Sequence, residues 1–236
     1  MGESAYVRRF SRSERGLHWV NAAGFFGLLA TGVALYLPGL AGTFGSRGAI
    51  KTVHLAAAAI WLCMLIAIVA VSDRGALRRT AQEIDRFAPD DLRWLTGRGA
   101  PQGRFNAGQK AHAVAQASFA VLFITSGLLL WFGERDTRLR LPGTIVLHDG
   151  LTVLASALVA AHLFLALVWP PTRPAMRGML RGTVRRDWAT MHHARWVATA
   201  MPLARDSVPT AWASPVTWAL LGCSTAIAVI AAITLV

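Results

Sequence analysis

Charge is scarce in this chain, and acid is scarcer still. Of 236 residues 15% are charged, and 12 acidic residues face 24 Lys and Arg, for a formal net charge of +12. A soluble globular domain carries about 25% charged residues, so a surface solvated on all sides is excluded. Cysteine is nearly absent. Cys63 and Cys223 both lie inside apolar stretches, which excludes a disulfide framework and any CxxC or CxxCH spacing for an iron–sulfur cluster or covalently attached haem. Both read as small apolar packing residues.

Charge-free runs, by contrast, are long. With His counted as neutral they cover Gly16–Ser46, Thr52–Ser72, Ala111–Gly133, Gly150–Thr172 and Ser207–Val236. About 20 apolar residues cross a bilayer core as a helix, so the five runs predict five transmembrane helices, near 17–38, 52–72, 111–132, 146–169 and 213–236. The first run is longer than the roughly 7–15-residue apolar core of a signal peptide, so no cleaved leader is expected. The basic balance does not point to nucleic acid, because the basic residues are spread between apolar runs rather than gathered on one polar face. The expected organisation is a transmembrane core over 1–172, a basic interfacial segment over 173–206 and a further helix over 207–236.

The arginines set the topology. The N-terminal segment and the two long connections, 73–110 and 170–212, hold 19 of the 24 basic residues. The positive-inside rule places all three in the cytoplasm and, with five crossings, the C-terminus outside. The mixed stretch Asp73–Arg104 reads as a short interfacial helix, and the Arg- and Trp-rich residues 173–206 as a segment lying along the headgroups.

Ionisable side chains at membrane depth mark functional sites. His18, His54, His148 and His162 fall inside or at the ends of the expected spans. His18 lies at the inner start of the first helix and His54 at the outer start of the second. His148 opens the fourth helix on the outer side, and His162 follows 14 residues later. At about 100° and 1.5 Å per residue, these two share a face and lie roughly 21 Å apart. The set makes two pairs, His54 with His148 outside and His18 with His162 inside. A haem iron with two axial imidazoles needs such a pair, and two stacked haems in a bundle need it twice. Singly, each histidine could instead bond a neighbouring carbonyl or line a proton path.

Gly24, Gly27, Gly32 and Gly127 would let a flat macrocycle approach the backbone, or serve ordinary helix packing. Arg15, one turn before His18, is placed to pair with haem propionates or to act as one more inside charge. His112, His192 and His193 read as solvated interfacial residues. Asp149 reads as an interfacial partner of a haem-side or subunit contact.

At this point the residues resemble a known family. Arg9-Phe10-Ser11 followed by Glu14-Arg15-Gly16-Leu17-His18-Trp19 resembles the start of the cytochrome b (gamma) subunit of respiratory formate dehydrogenases. Thr31-Gly32, the loop Phe105-Asn106-Ala107-Gly108-Gln109-Lys110, the His148/His162 pair and the tail Gly182-x-Val184-x-x-x-Trp188-Ala189-x-x-His192-His193-x-x-Trp196 are similar as well. The resemblance spans roughly residues 8–197. The Asn-x-Gly-Gln-Lys loop and the His-His-x-x-Trp tail are its more specific parts, since hydrogenase and thiosulfate-reductase cytochromes b share much of the plan.

The resemblance implies an all-α, four-helix dihaem bundle in a bacterial cytoplasmic membrane, with two b-type haems on the pairs given above. It implies a quinone (menaquinone or ubiquinone) bound near the inner haem at Asn106 and Gln109, with Gly108 and Lys110 nearby. Asn106 also fits a simple helix cap. Implied partners are an outward iron–sulfur subunit, a molybdenum or tungsten catalytic subunit and membrane lipid. The additional C-terminal helix departs from the four-helix members. Rival readings are the cytochrome b of a hydrogenase or other molybdoenzyme, and a haem-free anchor or proton-relay transporter.

Overall fold

Each of the first three long helices begins on a side chain that caps it. At Ser11 the hydroxyl accepts the Glu14 N–H at 3.3 Å while the Glu14 carboxylate accepts the Ser11 N–H at 2.6 Å. Ser46 Oγ accepts the Ala49 N–H at 3.1 Å, and Asn106 Oδ1 accepts the Gln109 N–H at 2.8 Å. These bonds satisfy donors that the helix itself leaves orphaned. The fourth helix follows Gly143, whose φ of +82° suits glycine.

The structure is a computed structural model and describes residues 5–43 and 45–199. Its elements are β1 (Tyr6–Arg8), α1 (Arg12–Tyr36), α2 (Pro38–Thr43), α3 (Arg47–Val71), α4 (Arg74–Asp85), α5 (Pro89–Leu95), α6 (Ala107–Gly133), α7 (Thr144–Leu163), α8 (Met176–Arg181), β2 (Thr183–Arg185), α9 (Arg186–His192) and α10 (Ala194–Thr199). A π-helical turn, Phe164–Val168, extends α7. Four helices among the described residues, Arg12–Tyr36, Arg47–Val71, Ala107–Gly133 and Thr144–Val168, are long and apolar enough to cross a membrane. The expected fifth helix, 213–236, lies outside the described residues. Of the apolar windows in these helices no more than 11% is buried inside the protein, and Val121, Val146 and Val153 are well exposed. Helices this apolar and this exposed need lipid as their solvent. The protein is an all-α membrane protein.

The helices start several residues earlier than the charge-free runs suggest. Capping makes a polar first turn helical, so Arg12, Arg47 and Gln109 lie inside helices that the charge pattern would begin later.

The chain forms two compact units, residues 10–79 and residues 5–9 with 80–199. In the first, α1 and α3 pack antiparallel. Trp61 Nε1 donates to Asn21 Oδ1 at 3.3 Å near one end, and Arg47 Nη1 donates to the Leu35 carbonyl at 2.9 Å near the other. Gly24 makes this pairing possible, because a Cβ there would lie 2.1 Å from Trp61 Cδ1. Gly24→Ala is expected to cost about 1–3 kcal/mol by overpacking. Thermal unfolding in detergent, with Gly27→Ala as the control, checks it; a Cβ at Gly27 meets nothing within 4 Å.

In the second unit α6 and α7 pack antiparallel. The expected single helix over 73–104 is two: amphipathic α4, which runs across the boundary between the units with Leu77 and Ile84 on its half-buried face, and α5. The expected headgroup segment, 173–206, is folded over its described part. β2 pairs antiparallel with β1 in the register Tyr6↔Arg185, Val7↔Val184, Arg8↔Thr183. Val7, Val184 and Ala189 are fully buried, with Trp188, Trp196 and Val197 packed against them.

Candidate haem-ligand histidines and the Asn106 loop

The four candidate ligands divide two and two between the units, and in each unit they occupy opposite ends of an antiparallel helix pair. In α1–α3, His18 lies in the second turn of α1, half-buried, with its ring edge-on to Trp19 at 5.2 Å. Arg15 is one turn before it. His54 lies in the second turn of α3, where Thr31 Oγ1 is 2.7 Å from its Nδ1. In α6–α7, Ser126 Oγ is 2.8 Å from His148 Nδ1, and Phe123 stands edge-on to that ring at 5.3 Å. The His162 ring stacks on His112, with centroids 4.8 Å apart and planes 14° apart. His112, expected as a solvated interfacial residue, instead shares the half-buried surroundings of His162.

Among the described residues no three His, Cys, Asp or Glu side chains converge on one point. The donors present suit imidazole ligation of haem. A polar partner at Nδ1 orients an imidazole whose Nε2 can face a metal, and His54 and His148 each have a hydroxyl in that place.

The Asn106 loop is held from several directions. Besides the Asn106 cap, Gln109 Oε1 accepts the Asn106 N–H at 3.1 Å and Arg9 Nη2 at 3.1 Å. Both amide oxygens therefore face backbone donors, which fixes each amide's orientation. Gly108 lies under Trp94, with a hypothetical Cβ 3.3 Å from the ring. Lys110 is buried and bonds Asp91 Oδ2 at 2.7 Å and the Arg86 carbonyl at 2.8 Å. Burial pushes the Asp91 carboxyl up, but the Ala88 N–H and Lys110 outweigh it and hold the group below its usual value. The cap reading of Asn106 is thus realised, and Lys110 has a buried partner of its own. The loop starts the helix that carries His112, so Asn106 is about 9 Å of rise from the residue stacked on His162.

Arg9 and His193 complete this end. His193 is 1% exposed, a correction to its reading as a solvated residue. Its Nδ1 donates to the Gly103 carbonyl at 2.7 Å and its Nε2 accepts Arg9 Nη2 at 2.9 Å, which fixes a neutral tautomer. Burial, then Arg9, pushes its pKa down to about 3. Burial, then Arg104, lowers Arg9 to about 9. His192 stacks on Trp188 at 4.8 Å. The three fragments Arg9-Phe10-Ser11, Asn106–Lys110 and His192-His193 thus meet in one cluster through Arg9, Gln109 and His193. Their separation in the chain hides that meeting from any local pattern.

Apolar membrane helices that carry histidines near their ends suit a class, the membrane cytochromes of b type, and the chain belongs to the prokaryotic cytochrome b561 family, whose family model matches residues 9–182. The nitrate-inducible formate dehydrogenase cytochrome b556(Fdn) subunit of Escherichia coli K12 is 23% identical over 215 residues, covering 83% of this chain and 92% of that one. The formate dehydrogenase cytochrome b556(fdo) subunit of the same organism is 23% identical over 195 residues, covering 80% and 91%. The formate dehydrogenase cytochrome b556 subunit of Haemophilus influenzae is 24% identical over 192 residues, covering 76% and 77%.

Proposed function

We propose that the protein is the membrane-anchoring dihaem cytochrome b subunit of a respiratory formate dehydrogenase, passing electrons from an outward-facing iron–sulfur subunit by way of two b haems to quinone at its basic, cytoplasmic side. The observation that carries this reading is the distribution of histidines: each antiparallel helix pair offers one imidazole near either end. His54 and His148 would hold the outer haem, and His18 and His162 the inner, with Arg15 placed for a propionate. Bound haem supplies the one-electron chemistry; the chain supplies ligands, burial and spacing. The molybdenum or tungsten subunit would carry the donor chemistry. The names of the relatives favour formate over hydrogen as that donor.

For quinone, the Asn106 loop supplies donors. Its amide oxygens are committed to the cap, so Asn106 Nδ2 and Gln109 Nε2 are the atoms that can donate to a quinone carbonyl. Proton uptake from the cytoplasm at this end, with electrons arriving from outside, makes the reaction electrogenic. The protein would span the bacterial inner membrane several times, with its N-terminus on the cytoplasmic side and its C-terminus outside.

A reduced-minus-oxidised spectrum with a haem count tests the class. Two b haems per chain are expected, and none in protein made with ample haem overturns the reading. His54→Ala should remove one haem and spare the other. Asn106→Asp keeps an oxygen for the cap and loses the amide donor, so it should slow quinol formation severalfold with both haems retained; unchanged turnover counts against the loop.

A further inference from the structure

His54 and His148 are approached in the same way. Thr31 Oγ1 reaches His54 Nδ1 at 2.7 Å and also its own helix's carbonyls, Gly27 O at 2.9 Å and Leu28 O at 3.1 Å. Ser126 Oγ reaches His148 Nδ1 at 2.8 Å, Leu122 O at 2.7 Å and Phe123 O at 3.3 Å. A hydroxyl has one hydrogen and two lone pairs. Carbonyl oxygens accept only, so the hydrogen of each hydroxyl goes to the preceding turn of its helix. Its lone pair then takes the hydrogen on Nδ1. That assigns the Nδ1–H tautomer to both rings and leaves the lone pair of the imidazole on Nε2. In both cases glycine follows the hydroxyl residue. A Cβ at Gly32 would lie 3.6 Å from His54 Cε1, and one at Gly127 would lie 3.7 Å from His148 Cε1. The two units repeat one device: a hydroxyl-glycine dipeptide on one helix against a histidine on its neighbour.

We propose that Thr31 and Ser126 are positioning residues that each fix the facing histidine as the Nδ1–H tautomer, present its Nε2 to iron and strengthen it as a donor. The proposal rests on His54 and His148 being haem ligands, and it goes beyond that reading by naming the residues that tune them. A hydrogen bond from Nδ1–H raises imidazole basicity. A more basic axial ligand favours the ferric state and lowers the midpoint potential of the haem it holds.

The test uses the intact purified complex carrying Thr31→Val, Ser126→Ala, the double variant, and the hydroxyl-keeping controls Thr31→Ser and Ser126→Thr. Haem per chain, a potentiometric titration and low-temperature EPR of the oxidised form are read together, with melting temperature as the structural control. Expected is an unchanged haem count with one of two potentials raised by each hydroxyl-less variant. A roughly tenfold change in ferric-over-ferrous binding corresponds to about 59 mV for one electron. The shift adds in the double variant and disappears in the controls, and the largest g value of the same haem moves with it. Two haems with wild-type potentials and g values in the double variant overturn the positioning role and leave the haem reading intact. A wild-type protein without b haem overturns the haem reading itself. If Thr31→Val does not accumulate, Ser126→Ala alone decides, since alanine is well tolerated in a helix.

Discussion

Lys110→Ala should cost about 3–5 kcal/mol of stability, the usual loss when one partner of a buried ion pair is removed. The Lys110 and Asp91 side chains are 6% and 0% exposed, and Asp91 Oδ1 has no hydrogen-bond partner among the described residues. Without Lys110 the carboxylate keeps only the Ala88 N–H, at 2.8 Å. Removing both charges together, as Lys110→Met with Asp91→Asn, should recover most of the loss, because the amide still accepts that N–H. Thermal unfolding of the single and double variants in one detergent checks this; equal losses would refute it. The pH sign also follows. The folded Asp91 carboxyl lies below its ordinary value of about 3.9, so its contribution is present above pH 4 and is lost as pH falls further. A drop in quinol formation in Lys110→Ala would therefore report on the fold before it reported on quinone.

Acidification should loosen the Arg9–His193 cluster well before it reaches Asp91. His193 is held at about 3 in the folded chain, against about 6.5 when unfolded. Between those values the unfolded state binds the proton and the folded state does not. Stability then falls with decreasing pH by up to about 1.4 kcal/mol per unit, beginning near pH 6.5. The effect belongs to residues 5–9, 102–109 and 183–197. Hydrogen exchange of the amides in β1 and β2, followed from pH 7.5 to 5, should accelerate there while the interior of α6 stays protected. His193→Gln, which has no charge to gain, should flatten the slope; an unchanged slope would assign the effect to another group.

The four long helices were legible because lipid-facing surface must be apolar on every turn, and no surface charge interrupts it. Their starting turns were not, because a capped turn such as Arg12–Arg15 is polar and looks like loop. The placement of His18, His54, His148 and His162 near the ends of long apolar helices was legible from the spans. The partners of these histidines did not. Whether Thr31 meets His54 depends on which faces two antiparallel helices turn toward each other, and no residue period records that. His193 was misread for a related reason. In a basic, Trp-rich stretch it has the composition of a solvated face, yet its partners Gly103 and Arg9 are 90 and 184 residues distant. Likewise Arg9, counted among the inside charges, is 3% exposed. A charge count says nothing about which charge is buried.

The β1–β2 ribbon also sets an order of events during synthesis. At about 5–20 residues per second, the 184 residues between Arg9 and His193 take on the order of 10–40 s to be made. All four apolar helices among the described residues are translated in that interval, before the second strand exists. The first strand therefore waits unpaired until the second is made, and the Arg9 bond to His193 can form only after all four helices have been translated. The ribbon is in this sense a structure available only to a chain whose four apolar helices have already been made.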